Sequence, residues 1–209
     1  MNKTSSSSGL DQGLFTQALS TQLALRGISL KQFLGATYER LAERVTLEYG
    51  ALFVASLEVD LPPFCVFNDE QQVQEFQRRA GWKAADISGV IIELQPAAMN
   101  SLLAAGDEAC SEGLIITARG GSEAGRRRFD DTVRLWESRY YPALEHWLNC
   151  GRLSNEEVCD LREMETTGQV AAVLNLEARG LFFSKDFSKS IFYSVAPPGA
   201  SQHLSMSRL

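Results

Sequence analysis

The stretch Gly89–Cys110, GVIIELQPAAMNSLLAAGDEAC, decides the fold class. Its β-branched opening predicts a strand over residues 89–94, and Pro96 lies in the first turn of the helix predicted to follow. Two further short apolar runs, Leu114–Ala118 (LIITA) and Ser190–Val195 (SIFYSV), predict two more strands. Few strands combined with long helices predict an α+β protein whose small sheet is largely antiparallel.

Helical periodicity dominates the rest of the chain. Apolar residues recur at spacings of three and four between Leu30 and Tyr49, so we predict a helix that Ser29 caps and that runs to about Val54. Four more helices are predicted. The first begins at a cap, Asn68 or Asp69, and runs through Gln77, and the second spans Pro96–Cys110. The third runs from about Glu123 to Tyr140, where Pro142 interrupts it, and the fourth spans about 155–178 and begins with the capping box Ser154–Glu157.

Composition divides the chain into three parts. Residues 1–13 are rich in Ser and Gly and are predicted to be a disordered tail. A helical segment spans 14–60, and Leu61-Pro62-Pro63 ends it because proline has no N–H to donate. Residues 61–209 hold the predicted sheet and its helices. The fold is therefore expected to be a helix-rich N-terminal part followed by a small sheet with helices.

Charge and residue counts exclude several kinds of site. The 209 residues carry a formal net charge of −6, which argues against a nucleic-acid binder that relies on a broad basic field. Only two histidines are present, so a His-rich metal site is excluded. The four cysteines form no C-x-x-C pair and are expected to be buried small hydrophobes rather than zinc ligands, although their even number leaves disulfides open.

Targeting segments and common catalytic motifs are not found. No run reaches the roughly 18 apolar residues that a membrane span needs. The N-terminus MNKTSSSSGLDQG lacks the apolar core of a secretory signal, so the sequence leaves the localisation unassigned. G-x-S-x-G, H-E-x-x-H, the P-loop and G-x-G-x-x-G do not occur, which removes several enzyme classes.

The first candidate site is the cluster Arg126-Arg127-Arg128, expected in the opening turn of the 123–140 helix. An arginine there would present its planar fork to a carboxylate, with the Gly120-Gly121 turn allowing close approach. The alternative is a solvated face whose charge is balanced by nearby carboxylates, those of Glu123, Asp130 and Asp131.

The second candidate site is the tail segment Ala196–His203, APPGASQH. A Pro-Pro-Gly turn fixes the direction in which a strand leaves the sheet, and a histidine just beyond it suits a metal ligand or a general base. The alternative for His203 is a solvent-exposed tail residue. His146 is expected to be a helix-surface or core histidine, because Glu145 beside it points in another direction on a helix.

These two sites together resemble the zinc D-alanyl-D-alanine carboxypeptidases that trim peptidoglycan stem peptides. Ala196–His203 resembles the A-x-P-G-x-S-x-H segment of that family, and Arg127–Thr132 (RRFDDT) is similar to its Arg-Ser-Tyr-x-x-Gln helix start. The likeness covers roughly residues 113–205. It implies that Arg127, with Arg126 and Arg128 on either side, binds the terminal carboxylate of the substrate, and that His203 is the first zinc ligand.

The chain also departs from the pattern of that family. The motif continues His-x-x-Gly-x-x-x-Asp, whereas Met206 stands at the glycine position and the aspartate would follow Leu209. The later segment that supplies the catalytic Glu and the third ligand, a His, is absent. A metal-activated water needs about three protein ligands and a base. We therefore expect a C-terminally truncated, incomplete metallopeptidase domain that does not hold zinc.

Two functions follow as expectations. The first is a D-alanyl-D-alanine carboxypeptidase-like protein that acts on peptidoglycan stem peptides but is inactive as given. The second is a non-catalytic helical interaction or cell-wall-binding protein. The partner is expected to be a peptidoglycan peptide rather than nucleic acid or a membrane. The predicted strand Ser190–Val195 would leave an open sheet edge through which copies of the chain self-associate. The family is extracytoplasmic, although this chain shows no signal.

Overall fold

The computed structural model describes residues 14–34 and 58–207. The chain divides into two compact units, Met1–Cys65 and Val66–Leu209. Seven helices and a two-stranded antiparallel sheet are found in the described residues, so the protein is a helix-rich α+β protein. The predicted disordered tail and most of the predicted 29–54 helix lie outside these residues. No described helix is long and apolar enough to cross a membrane.

The first unit contains helices α1 (Leu14–Ala24) and α2 (Leu30–Leu34). The Ser29 hydroxyl accepts a hydrogen bond from the Gln32 amide at 3.1 Å, and the Gln32 side chain accepts one from the Ser29 amide at 2.9 Å. This reciprocal pair satisfies two amide donors at the helix start. The prediction that Ser29 caps this helix is confirmed.

The second unit contains five helices around one hairpin. In chain order they are α3 (Glu70–Ala80), strands β1 (Lys83–Ile87) and β2 (Val90–Leu94), α4 (Pro96–Ser111), α5 (Phe129–Asn149), α6 (Asn155–Glu163) and α7 (Thr166–Ala178). Single turns of 3₁₀-helix occur at Gly121–Ala124, Ile191–Tyr193 and Gln202–Leu204. Asp69 caps α3 and the Ser154 capping box begins α6, as predicted.

The sheet is the hairpin of β1 and β2, with Lys83 opposite Leu94 and Ile87 opposite Val90. Ser88 and Gly89 join the strands with positive φ values of 52° and 88°, as a two-residue turn between right-twisted strands requires. The prediction of β2 is confirmed. The sequence did not predict β1, because its residues KAADI have low intrinsic strand propensity.

The predicted strand Leu114–Ala118 is wrong. The hydrogen bond between this segment and the hairpin comes from a side chain, since the Ser88 hydroxyl donates to the Ile116 carbonyl at 2.8 Å. The segment pairs with no β-strand of the described residues, so it is not itself a strand. Leu114 and Ile115 are 64% and 78% exposed, whereas the Ile116 and Ala118 side chains pack against the hairpin core.

The predicted strand Ser190–Val195 is also wrong. The Ser190 hydroxyl accepts a hydrogen bond from the Phe192 amide, and the Ser190 carbonyl accepts one from the Tyr193 amide at 3.2 Å. These local bonds close a 3₁₀ turn and compete with strand pairing. The Ile191 amide donates to the Glu177 carboxylate at 2.8 Å, which fixes the turn against α7. The open sheet edge expected at this segment is therefore not formed.

Helix α5 differs from its predicted form at both ends. It begins at Phe129 rather than Glu123, so the three arginines precede the helix and Arg128 is its N-cap. It also continues through Pro142 to Asn149. Because proline has no N–H, Pro142 cannot donate the helical hydrogen bond to the Ser138 carbonyl four residues earlier. The Arg139 guanidinium donates to that carbonyl instead, at 3.3 Å.

The core of the second unit is built around α5. Trp136 and Tyr140 are fully buried, and their rings stack with centroids 6.2 Å apart. The Trp136 indole donates to the side chain of Gln169 in α7 at 3.2 Å, and the Tyr140 hydroxyl donates to the carbonyl of Leu161 in α6 at 2.9 Å. A buried aromatic ring with a satisfied polar tip fixes the orientation of neighbouring elements. Helix α5 thus positions both following helices.

Candidate carboxylate-binding site

The tail segment is built into the second unit by a buried turn. Pro198 and Gly199 are the central residues of a turn closed by a hydrogen bond from the Ala200 amide to the Pro197 carbonyl at 3.0 Å. Gly199 has φ +80°, as the third position of a type II turn requires. Its amide donates to the Thr132 hydroxyl and its carbonyl accepts from the Phe67 amide at 2.9 Å. The predicted Pro-Pro-Gly turn is therefore present and rigidly held.

The structure brings the two candidate sites into direct contact. The Arg127 amide donates to the His203 carbonyl at 3.2 Å. The Arg127 guanidinium donates from Nη1 to the Ser201 hydroxyl and from Nη2 to the Glu123 carbonyl, both at 3.2 Å. Arg127 therefore lies against the Ser-x-His part of the tail, 74 residues away in sequence.

The side chain of Gln77, in α3, connects the arginine cluster to the tail. It is 2% exposed, and its Nε2 donates to the Arg127 carbonyl at 2.9 Å and to the Leu204 carbonyl at 3.1 Å. Its Oε1 accepts from Nε of Arg126 at 2.7 Å. One buried amide thus uses both of its donors and its acceptor to hold the two segments together.

A second buried amide holds the tail just beyond His203. Gln95, which lies between β2 and α4, donates from its backbone to the Met206 carbonyl at 2.9 Å and from its side chain to the Ser205 carbonyl at 2.7 Å. Sequence reasoning did not identify Gln77 or Gln95, because their partners are distant in sequence, about 50 and 127 residues away for Gln77 and 110 residues away for Gln95. The signal that could have indicated them is a polar residue at a position where the apolar pattern of a helix or strand predicts burial.

A close approach of the backbone occurs near the cluster, but not at the predicted glycines. A Cβ at Gly125 would lie 2.7 Å from both the Glu93 carbonyl and the Ile92 side chain of β2. A Cβ at Gly120 or Gly121 would meet nothing within 4 Å. Gly125 therefore lets the segment that carries the arginines pack directly on the sheet.

The three arginines differ in the carboxylates that they contact. Arg126 pairs with Glu93 at 3.1 Å and lies over the Trp82 ring, 4.1 Å from its centroid. Arg128 is exposed and lies 3.7 Å from the Glu70 carboxylate and 3.5 Å from that of Asp130. The expectation of a charge-balanced solvated face describes Arg128 well.

Arg127 is the member of the cluster whose guanidinium has no carboxylate within 4.0 Å among the described residues. The nearby carboxylates of Glu123 and Asp131 instead contact Arg134, at 3.0 and 3.5 Å. Burial lowers the pKa of Arg127, and the negative charges of Glu123 and Asp131 partly oppose that shift. Its Nε–H is buried without a hydrogen-bond acceptor among the described residues. Arg127 is thus a partly desolvated cation with capacity for an anion.

His203 is half-buried, in the 3₁₀ turn after the Pro-Pro-Gly turn, so the alternative of a solvent-exposed tail residue is wrong. In the described part of the chain no group of three or more His, Cys, Asp or Glu side chains is placed to hold a metal. A zinc ion needs three or four such ligands, so the described donors do not fit one. His203 as a zinc ligand stays a prediction from the resemblance.

The arrangement places a half-buried arginine guanidinium beside a hydroxyl, and such a guanidinium is chemically suited to pair with a carboxylate. No protein-family model, curated protein or solved structure matches this chain.

Proposed function

We propose that this protein is a D-alanyl-D-alanine carboxypeptidase-like protein that binds peptidoglycan stem peptides through their terminal carboxylate. The observation that supports the proposal is the position of Arg127, whose guanidinium contacts Ser201 and whose backbone contacts His203. These are the residues at which the sequence resembles that family. Arg127 would bind the carboxylate, and the Ser201 hydroxyl would hold the guanidinium in place.

The energetic basis of the proposal is that the charge of Arg127 is only partly compensated before a ligand binds. Removing a cation from water is costly unless an anion or several hydrogen bonds compensate it. The direct hydrogen-bond acceptors of Arg127 are a hydroxyl and a carbonyl, both neutral, and the charges of Glu123 and Asp131 compensate it only in part. A ligand carboxylate would form charge-assisted hydrogen bonds with the same planar group, which are about twice as strong as neutral ones. The affinity for a carboxylate is therefore expected to depend on Arg127 more than on its neighbours.

We assign no hydrolytic step to this site. Among the described residues no group of three or more His, Cys, Asp or Glu side chains is placed to hold a metal beside His203. Our proposal is therefore limited to recognition of the peptide. Binding of a stem peptide without release of D-alanine is therefore the expected result, and release of D-alanine would contradict this limit.

Replacing Arg127 with alanine should weaken binding of a peptide that ends in D-Ala-D-Ala by about 10- to 100-fold, the value of a hydrogen bond between charged groups. Calorimetric titration with N-acetyl-Lys-D-Ala-D-Ala measures the affinity. Arg128→Ala is the matched control, because it removes an arginine that is already paired with carboxylates. Equal affinities of the Arg127→Ala and Arg128→Ala proteins would contradict the assignment of Arg127.

A further inference from the structure

A thiol and an imidazole lie together at the C-terminal end of α5. The Sγ of Cys150 is 3.7 Å from Nε2 of His146, within hydrogen-bonding distance for sulfur. The two residues are four apart, so they share one face of the helix end. Cys150 is exposed. Helix α5 has 21 residues and is about 30 Å long, so this pair lies far from Arg128 at the other end.

Two aromatic rings fix the orientation of the His146 imidazole. Phe187 stacks on it with centroids 3.9 Å apart and planes 9° from parallel. Trp147 meets it edge-on at 4.7 Å, and the Trp147 indole is held by a hydrogen bond to the Phe182 carbonyl at 2.9 Å. The ring therefore keeps Nε2 directed at the thiol.

The chain adopts an unfavourable conformation to place Phe187 on the imidazole. Phe187 has φ +59°, a value that bulky residues rarely adopt. A local network supports it: the Ser184 hydroxyl donates to the Asp186 carboxylate at 2.6 Å and accepts from the Lys189 amide at 3.0 Å. The bonds from Ser184 and Ser188 lower the pKa of Asp186 to about 2. Strain of this kind concentrates at functional sites.

We propose that Cys150 is a thiol–disulfide exchange site, with His146 as its proton acceptor and donor. His146 Nε2 takes the proton of the Cys150 thiol, and the thiolate attacks one sulfur of a small disulfide. The new S–S bond forms as the old one breaks, and the departing thiolate takes the proton back from the imidazolium. Two sulfurs are joined in a disulfide and one is a thiol both before and after the step, so a low-molecular-weight disulfide is a sufficient ligand and no further oxidant is needed.

The other cysteines provide internal controls. The expectation that the cysteines are buried is wrong for three of them, since Cys110, Cys150 and Cys159 are exposed. Cys110 and Cys159 have no histidine within hydrogen-bonding distance in the described part of the chain. Cys65 is buried, and this burial raises the pKa of its thiol to about 11, so it should stay unreactive.

The test measures how fast each cysteine of the whole protein forms a mixed disulfide with glutathione disulfide at neutral pH, by mass spectrometry of peptides. Cys150 should react about tenfold faster than Cys110 and Cys159 because of the adjacent proton acceptor. His146→Phe keeps a ring to stack on Phe187 but removes the nitrogen, and it should lower the Cys150 rate to that of Cys159. The Cys110 rate should stay constant in this variant, which reports an intact fold.

Two results would overturn the proposal. The first is equal reactivity of the three exposed cysteines in the unmodified protein. The second is an unchanged Cys150 rate in His146→Phe, which would show that exposure alone sets the rate. Neither result bears on Arg127, so this test is independent of the proposed carboxylate site.

Discussion

Replacing Gly199 with alanine is expected to lower the free energy of unfolding by about 3 kcal/mol or more. A Cβ at this position would lie 1.9 Å from the Phe67 carbonyl oxygen, and that oxygen belongs to rigid backbone. The Phe67 amide also donates to the Gly199 carbonyl at 2.9 Å, so the two segments cannot separate without losing this bond. Chemical denaturation followed by tryptophan fluorescence measures the change.

The matched control for this substitution is Gly180→Ala. Gly180 has φ +81°, almost the same as the +80° of Gly199, but a Cβ there would meet nothing within 4 Å. Its replacement carries the left-handed backbone cost alone, about 1 kcal/mol. Equal losses of stability in the two variants would show that the tail turn does not pack on Phe67 as described.

The second large effect is expected from Gln77→Met, which should lower the free energy of unfolding by about 3 kcal/mol. Methionine has a similar size but cannot donate to the carbonyls of Arg127 and Leu204, both of which then lose a hydrogen-bond donor. The same change should weaken peptide binding, because Gln77 holds the arginine cluster against the tail. Denaturation and titration of one preparation test both effects.

Gln71→Met serves as the control for this substitution, since Gln71 is an exposed residue of the same helix. It should leave stability and peptide affinity within the error of the unmodified protein. A Gln77→Met protein of ordinary stability would mean that the buried amide does not connect the two segments.

The local parts of the fold could be predicted from the sequence. The capping residues Ser29, Asp69 and Ser154 mark helix starts by chemistry that acts within three residues, and all three are confirmed. Strand β2 was recognisable from its β-branched residues. These signals do not depend on the rest of the chain, so they need no knowledge of the tertiary structure.

Two of the errors arose where a local bond replaced the expected one. The apolar segment Ser190–Val195 has a strand composition, but the Ser190 hydroxyl closes a 3₁₀ turn instead. Pro142 was expected to interrupt α5, and the Arg139 side chain compensates for its missing bond. A periodic sequence pattern indicates which residues are buried and whether their spacing is that of a helix or a strand. It does not indicate which side chain supplies a hydrogen bond.

The candidate site was only partly predictable. Arg127 and His203 were identified in separate motifs, and the resemblance alone suggested that they belong to one site. The structure places them in contact, which is the part of the expectation that geometry can test. The role of Gln77 depends on a contact with Leu204 across 127 residues, and no pattern within the sequence indicates such a pairing.

The central claim is that Arg127 binds the terminal carboxylate of a peptide. The most direct measurement compares N-acetyl-Lys-D-Ala-D-Ala with its C-terminal amide, each titrated into the unmodified protein and into the Arg127→Ala variant. We predict that amidation weakens binding to the unmodified protein about tenfold and leaves binding to the variant unchanged. An equal loss on amidation in both proteins would contradict the claim, because the carboxylate would then be recognised without Arg127.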